Sequence, residues 1–210
     1  TEDALLDLNF LGVHNLLLLR GDSKPIEMVK GTENQYHNYA LELQEQVNSF
    51  NKGILIDGSK IEGIDTPFSY GMACYPEKHE EAPNMDSDIF YLKEKIRNGA
   101  DYVVTQMFFD NQKYFSFVER CRAEGITVPI IPGIKPVVLR SQLNVLPKVF
   151  RSDIPEPFAR ELRKCKTDDE AKVVGVEWCT AQCKELIASG VPGIHFYSFL
   201  ASDSVYKVAK

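Results

Sequence analysis

The chain has 210 residues, and its length and mixed composition are typical of one globular domain with a full apolar core. Its formal net charge of −6 disfavours a nucleic acid or an anionic membrane surface as the main partner. No apolar run reaches the roughly 18 to 20 residues that cross a bilayer. The cysteines are five in number and scattered, which indicates reduced thiols and a cytoplasmic protein.

Apolar runs and helical periodicity predict strands that alternate with helices along the whole chain. Strands are predicted over residues 13–19, 70–75, 102–109, 128–131 and 194–199. Helices are predicted over residues 4–10, 35–50, 87–98, 111–124, 139–150, 168–189 and 202–209, with a short one after Pro157. Asp110 is predicted as the N-cap of the fourth of these helices, and Gly99, Gly125 and Gly190 are predicted to end helices. Residues 51–66 carry three glycines and are interpreted as an inserted loop. Such alternation predicts an α/β fold with a parallel sheet and helices outside it.

The pattern contains about five β/α units and opens inside a helix. A complete eight-fold barrel takes about 250 residues, so five units leave two alternatives: an open sheet, or a barrel that lacks its first three units. An amphipathic opening helix with no preceding strand favours the second alternative. We therefore predict a TIM (β/α)8 barrel of which the chain holds the five C-terminal units, as a single, N-terminally truncated catalytic domain over residues 1–210.

Polar and aromatic residues collect where the predicted strands end. Residues 72–110 predict a strand, a polar loop, a helix and a second strand. In such units the chemistry lies beyond the carboxyl ends of the strands. The residues at or near those ends are Tyr75, Glu77, His79, Gln106 and Asp110. Gln106 interrupts an apolar strand, so its amide is either satisfied in the core or directed at a ligand; Gln142 and Tyr197 are weaker candidates of the same kind.

Arg20, Gly21 and Asp22 follow the first predicted strand. An adhesion tripeptide needs an exposed loop in a secreted protein. Here the tripeptide follows a strand that is predicted to be buried, in a chain whose cysteines are predicted to be reduced, so an adhesion role is disfavoured. A glycine turn with flanking charges remains one interpretation. The other is a strand-end site, in which Gly21 lets a ligand approach the backbone and Asp22 presents a carboxylate.

The helix after the polar loop places Asp88, Tyr91 and Lys95 on one face. This face is either a surface stripe or a site for an adenine and its diphosphate. No metal site is predicted, because the HExxH spacing is absent and Cys179 and Cys183 have no second Cys/His pair. A G-x-G-x-x-G fingerprint, a P-loop and a hydrolase elbow are also absent from the sequence.

Taken together, the motifs resemble the methylenetetrahydrofolate reductase family of bacterial type. The resemblance covers essentially the whole chain, in order. Its motifs are LLLLRGD at 16–22, Tyr39-Ala40, ACYPEKHEEAP at 73–83, Asp88, Lys95, GADYVVTQMFFD at 99–110, PIIPGIKP at 129–136, Gln142, VGVEWCTAQCKEL at 174–186 and GIHFYSF at 193–199.

The resemblance implies a cytoplasmic TIM-barrel flavoprotein of one-carbon metabolism and methionine biosynthesis, and a homo-oligomer. It implies that FAD and NADH or NADPH convert 5,10-methylenetetrahydrofolate to 5-methyltetrahydrofolate by ping-pong hydride transfer. The implied FAD contacts are Arg20, Gly21, Asp22, Ala40, Tyr75, His79, Ala82, Asp88, Tyr91 and Lys95. The implied catalytic residues are Asp22 and Gln106, and the implied substrate contacts are Asp22, Gln106, Gln142 and Tyr197.

The sequence departs from the family pattern at three places. The family's general-acid Glu lies on the first barrel strand, and its Thr and His flavin contacts lie on the next two strands. These three strands are not in this chain. We therefore expect that the chain alone does not turn over its substrate. Ser198-Phe199-Leu200-Ala201 stands where the family often has Thr-Leu-Asn-Arg. Two alternatives follow: a non-catalytic flavin- or folate-binding partial barrel completed by another chain, or another flavin barrel oxidoreductase such as a proline-dehydrogenase-like enzyme.

Overall fold

Short strands alternate with helices in the computed structural model, which describes residues 1–20, 37, 39–62, 64 and 66–210. The strands are β1 (Asn15–Leu18), β2 (Ser69–Cys74), β3 (Tyr102–Thr105), β4 (Ile130–Ile131), β5 (Gly133–Ile134) and β6 (His195–Phe196). The helices are α1 (Glu2–Phe10), α2 (Ala40–Asn51), α3 (Met85–Arg97), α4 (Asn111–Ala123), α5 (Gln142–Phe150), α6 (Glu156–Lys164), α7 (Asp168–Ala188) and α8 (Ser202–Ala209). The predicted α/β class is confirmed.

The described residues divide into two compact units. The first unit comprises Thr1–Ala73 and Tyr91–Tyr102, and the second comprises Cys74–Phe90 and Val103–Lys210. In the first unit β1 and β2 pair in parallel, with Asn15 opposite Ser69. In the second unit β3 pairs in parallel with β4, and β5 with β6.

The core of the first unit lies between its strands and helices. Its buried members are Leu5, Leu18, Val47, Phe50, Phe68, Tyr70, Met72 and Ala100. The Tyr70 hydroxyl donates to Asn48 Oδ1 at 2.6 Å and accepts from Gln44 Nε2 at 3.2 Å, so the one polar tip in this apolar cluster is satisfied. Gly71 lies against the Tyr102 ring, and a Cβ there would lie 2.2 Å from a ring carbon.

Residues 51–66, predicted to be an inserted loop, form turns around a single antiparallel bridge between Ile54 and Lys60 in their described part. Leu55, Ile61 and Ile64 pack against the core of the first unit. The described part of the segment therefore covers one side of that core with apolar side chains.

The second unit is held together by α7. The Trp178 indole donates to the Phe109 carbonyl at 2.9 Å and its ring stacks on Phe158, with 4.6 Å between centroids. Gln182 donates to the Phe108 carbonyl at 3.3 Å and to Asn111 Oδ1 at 3.1 Å. These bonds attach the segment after β3 to the longest helix of the described chain.

Several predicted boundaries differ from the structure, and four of them have a physical reason. The helix predicted from residue 35 begins at Ala40, because Tyr39 is extended and its N–H donates to the Glu42 carboxylate at 3.4 Å. Residues 107–109 lie outside β3 although they are apolar, since they pack against α7. The last strand, predicted over residues 194–199, contains only His195 and Phe196. Gly133 and Ile134, predicted to follow the last residue of a strand, form β5.

The predicted helix ends agree better with the structure. Asp110 caps α4 and accepts from the Gln112 N–H at 2.9 Å. Gly99, Gly125 and Gly190 have φ values of 108°, 81° and 76°, so each ends a helix in the left-handed region. None of the described helices is long and apolar enough to cross a membrane.

Gly175 provides a test of the packing of α7. A Cβ at this position would lie 1.9 Å from the Val137 carbonyl oxygen, which is backbone and cannot move aside cheaply. Alanine gains about 1 kcal/mol in helix propensity. Overpacking against a fixed backbone costs more, so we expect Gly175→Ala to lower the free energy of unfolding by about 1–3 kcal/mol in urea titrations.

The control is Val173→Ala on the exposed face of the same helix, where the side chain is 58% exposed. This change should stay within about 0.5 kcal/mol of the unmodified protein. A Gly175→Ala protein as stable as the original would show that α7 does not approach residue 137 this closely.

Candidate functional site

Four strand ends meet in the second unit. The Gln106 N–H donates to the Cys74 carbonyl at 2.8 Å, which places the end of β2 beside the end of β3. The Tyr197 N–H donates to the Ile134 carbonyl at 2.9 Å, and the Tyr197 hydroxyl donates to the Thr105 carbonyl at 2.9 Å. The residues that follow β2, β3, β5 and β6 are therefore neighbours at one edge, as parallel strands require.

The segment after β2, residues 75–82, is called the 75–82 loop. A side chain of the loop itself stabilises its backbone: Lys78 Nζ donates to the carbonyls of His79 at 3.0 Å and Ala82 at 2.5 Å. Lys78 has a φ of 79°, which turns the chain back. Asp88 Oδ2 accepts from the His79 N–H at 2.7 Å and fixes the loop to the first turns of α3.

Tyr75 and His79 face each other across this loop. Their rings meet edge to face, with 4.5 Å between centroids and an interplanar angle of 76°. The Glu81 N–H donates to His79 Nδ1 at 3.1 Å, so Nδ1 is an acceptor and the ring proton of the neutral imidazole is on Nε2. The loop therefore offers an aromatic edge and an N–H donor.

Two carboxylates tie the 75–82 loop to the segment after α5. The Glu77 carboxylate accepts from the Asp153 N–H, at 3.2 Å and 3.3 Å to its two oxygens, and Glu80 pairs with Arg151 at 2.7 Å. Burial raises the pKa of Glu77 to about 7, with Asp153 and Asp110 adding to the rise. Glu77, Gln106 and other residues line a cavity of about 10 Å³, room for about one water.

The other predicted residues of the second unit make local bonds. Gln106 Oε1 accepts from the Met107 N–H at 2.9 Å, so Nε2 is the atom that can donate to a ligand. Gln142 Oε1 accepts from the Val138 N–H at 2.8 Å and orders the start of α5. Burial raises the pKa of Tyr197 to about 12, with Cys74 and Tyr75 adding to the rise. The phenol therefore stays protonated near neutral pH.

The remaining predicted residues belong to the first unit or lie outside the described residues. Lys95 Nζ donates to the Ala73 carbonyl at 2.9 Å, which places the ammonium at the end of β2. Ala40 is the first residue of α2, Tyr91 is 53% exposed, and Arg20 is half-buried after β1. Gly21 and Asp22, predicted for cofactor and substrate, lie outside the described residues.

Two features of the second unit were missed in the sequence. Ser152 is buried, and its hydroxyl donates to the Met107 carbonyl at 2.7 Å. Lys135 is buried directly after β5. The signal for Lys135 is a polar residue in an apolar run, the same signal that identifies Gln106. Pro132-Gly133 hides this signal, because the pair predicts the end of a strand before Lys135. Within the described ranges no group of three His, Cys, Asp or Glu residues is arranged to hold a metal ion.

Comparisons with known proteins agree on one family. The family described as Methylenetetrahydrofolate reductase matches residues 1–210. The chain is 34% identical over 206 residues to Methylenetetrahydrofolate reductase 1 of Schizosaccharomyces pombe, covering 97% of this chain and 32% of that protein. It is 30% identical over 198 residues to 5,10-methylenetetrahydrofolate reductase of Escherichia coli, covering 94% of this chain and 60% of that protein.

A solved structure also shares the fold. It is described as an uncharacterized protein from Clostridium thermocellum that binds two copies of 5-methyl-5,6,7,8-tetrahydrofolic acid. The TM-score is 0.50 at 15% identity, over 99% of this chain and 88% of that one. The chain spans about a third of the length of the eukaryotic relatives, for example 28% of the Caenorhabditis elegans protein, which is 31% identical.

Glu77 predicts a pH-dependent stability. Burial raises its pKa from the ordinary value of 4.5 to about 7 in the folded protein, so the folded state holds the proton more tightly. The stability that protonation contributes is fully present below pH 4.5 and is lost as the pH rises through about 7. Glu77→Gln should therefore become more stable than the original protein between pH 5 and pH 8, by about 1 kcal/mol after allowing for solvent screening.

Urea titrations at pH 5, 6, 7 and 8 measure this difference. Glu80→Gln is the matched control, because the Glu80 carboxylate is exposed and its pKa is lowered, chiefly by its hydrogen bond with Arg151. That variant should not gain stability as the pH rises. A constant difference between Glu77→Gln and the original protein over this range would contradict the raised pKa.

Proposed function

Because the chain belongs to the methylenetetrahydrofolate reductase family, we propose that the protein reduces 5,10-methylenetetrahydrofolate to 5-methyltetrahydrofolate, with FAD as cofactor and NADH or NADPH as reductant. The family match over residues 1–210 carries this proposal. We also propose that the parallel strands are part of a (β/α)8 barrel. Enzymes of that fold place their chemistry at the carboxyl ends of the strands, where Tyr75, Gln106 and Tyr197 lie.

The groups of the 75–82 loop fit a flavin nucleotide. The loop is closed by its own hydrogen bonds, so little ordering is needed when a ligand binds. Tyr75 supplies an aromatic surface, and His79 Nε2–H supplies a donor for an anionic phosphate oxygen. When bound, FAD supplies the hydride chemistry, since it can accept a hydride and pass it on.

Asp88 acts on this site through the backbone. Its Oδ2 holds the His79 N–H at 2.7 Å and so sets the direction of the imidazole. Ala82, which ends the loop, has a small side chain that lets a ligand come close to the backbone. In the first unit, the proposed flavin contacts are Arg20, Ala40, Tyr91 and Lys95.

The proposed substrate contacts are Gln106, Gln142, Tyr197 and Asp22. The Tyr197 hydroxyl donates a hydrogen bond to the Thr105 carbonyl and stays protonated near neutral pH, so it does not act as a base. Its proposed role is to orient a substrate ring that stacks on the phenol. Gln106 can donate through Nε2 to a carbonyl of the nicotinamide or the pterin. A carboxylate at Asp22 would stabilise the positive charge that develops on the folate when hydride is transferred to its carbon.

We further propose that the protein acts in the cytoplasm as a homo-oligomer and supplies methyl groups for methionine biosynthesis. The five cysteines are buried, reduced thiols, which fits a reducing compartment.

Retention of flavin tests the proposed function. The purified chain is mixed with FAD, passed through a gel-filtration column and examined by visible absorption. We expect flavin absorbance to remain with the protein. Tyr75→Ala should weaken FAD binding about tenfold or more, because an aromatic contact is worth about 1 kcal/mol beyond the area that it buries.

Tyr206→Ala on α8 is the matched control, since Tyr206 is 67% exposed and lies far along the chain from the 75–82 loop. It should bind FAD as the original protein does. Equal FAD affinity in the Tyr75→Ala and Tyr206→Ala proteins would remove the loop from the flavin site. A chain that releases FAD completely would contradict the assignment of the flavin contacts to these residues.

A further inference from the structure

Lys135 is a lysine in the interior of the second unit, with a side chain that is 2% exposed. It directly follows β5, whose Gly133 and Ile134 pair with His195 and Phe196 of β6. Tyr197 follows β6 in the same way and donates its N–H to the Ile134 carbonyl. Lys135 therefore lies at the carboxyl ends of two paired strands, at the same edge as Tyr197 and the residue after β3.

The ammonium of Lys135 has no hydrogen-bond acceptor among the described residues. Its Nζ lies 4.7 Å from the centroid of the Phe199 ring, which is a weaker contact than a hydrogen bond to an oxygen. Burial lowers the pKa of Lys135, as expected for a cation without a partner. An amine that is buried without an acceptor costs stability in either protonation state. A methionine would fill the same space without that cost.

The ring over Lys135 is carried by a strained turn. Phe199 and Leu200 have φ values of 41° and 68°, in a region that residues with side chains rarely adopt. Both side chains are exposed, Phe199 by 57% and Leu200 completely. Strain at adjacent apolar residues that gain little burial is typical of a segment that changes conformation when a ligand binds.

We propose that Lys135 binds an anionic oxygen, of a carboxylate or a phosphate, on the ligand that enters at the carboxyl ends of β5 and β6, and that the Phe199 ring covers the ammonium until that ligand arrives. The inference rests on the proposed function, which brings two anionic ligands to this edge. The folate carries glutamate carboxylates, and the nicotinamide nucleotide carries a diphosphate. Both supply the acceptor that the ammonium lacks.

Two ligand pairs measured by calorimetry test the inference on the 210-residue chain. The first pair is 5-methyltetrahydrofolate and its uncharged glutamate diester, and the second is NADH and reduced nicotinamide riboside. Lys135→Met should weaken the anionic member of one pair by about 10- to 100-fold and leave the uncharged member unchanged. A loss in the folate pair identifies the carboxylate as the acceptor, and a loss in the NADH pair identifies the phosphate.

The matched control is Lys172→Met, because Lys172 already pairs with Asp203. It should leave all four affinities unchanged. Lys135→Met should also melt at the same or a higher temperature than the original protein, since it removes an unpaired buried cation. Lys135→Arg keeps the charge and should keep the preference for the anion, which provides a second test if the methionine variant folds poorly.

Three results would overturn the inference or its premise. Equal losses within each pair, with a lower melting temperature, would mean that Lys135 only supports packing. No loss in either pair would mean that it does not bind the ligand, and the proposed function would stand. An original protein that binds none of the four compounds would contradict the proposed function itself.

The proposed covering of the Lys135 ammonium by the Phe199 ring has its own test. Phe199→Ala should raise the association rate constant of the anionic ligand, and an unchanged rate constant would exclude a covering role for the ring.

Discussion

Thr105 joins three strands at the edge where the candidate site lies. It is fully buried, its hydroxyl accepts from the Gly133 N–H at 2.8 Å, and its carbonyl accepts from the Tyr197 hydroxyl at 2.9 Å. The approach is so close that a Cβ on Gly133 would lie 2.2 Å from the Thr105 carbonyl oxygen. This contact joins the ends of β3, β5 and β6, which Gln106, Lys135 and Tyr197 directly follow.

The site combines a loop that is already ordered with two buried titratable side chains that cost stability. The 75–82 loop is closed by Lys78 and held by Asp88, so its aromatic and imidazole groups are in place before a ligand arrives. Glu77 and Lys135 have the opposite character, because burial favours their neutral forms. A buried titratable group lowers the stability of the folded protein. Such groups are typical of functional sites, where stability is given up for binding.

The sequence predicted the alternation of strands and helices and the helix ends, because glycines and the Asp110 cap act locally. It did not predict strand lengths, since apolar residues after β3 are buried by α7 and not by pairing. The strand position of Gly133 is not predicted by the sequence, because it depends on a long-range approach to Thr105 that local turn preferences do not report. For the same reason the sequence shows that Lys135 is a polar residue in an apolar run but does not show that it follows a strand.

Hydrogen bonds of the protein itself hold the 75–82 loop in place before a ligand binds. Amide hydrogen exchange at His79, followed by NMR in the ligand-free chain, tests this most directly. We expect the His79 N–H to be protected and Asp88→Ala to remove that protection. Asp86→Ala, on the exposed side of α3 where Asp86 pairs with Arg120, should leave the protection unchanged. Exchange at the rate of an unstructured peptide in the original protein would show that these hydrogen bonds do not hold the loop before a ligand binds.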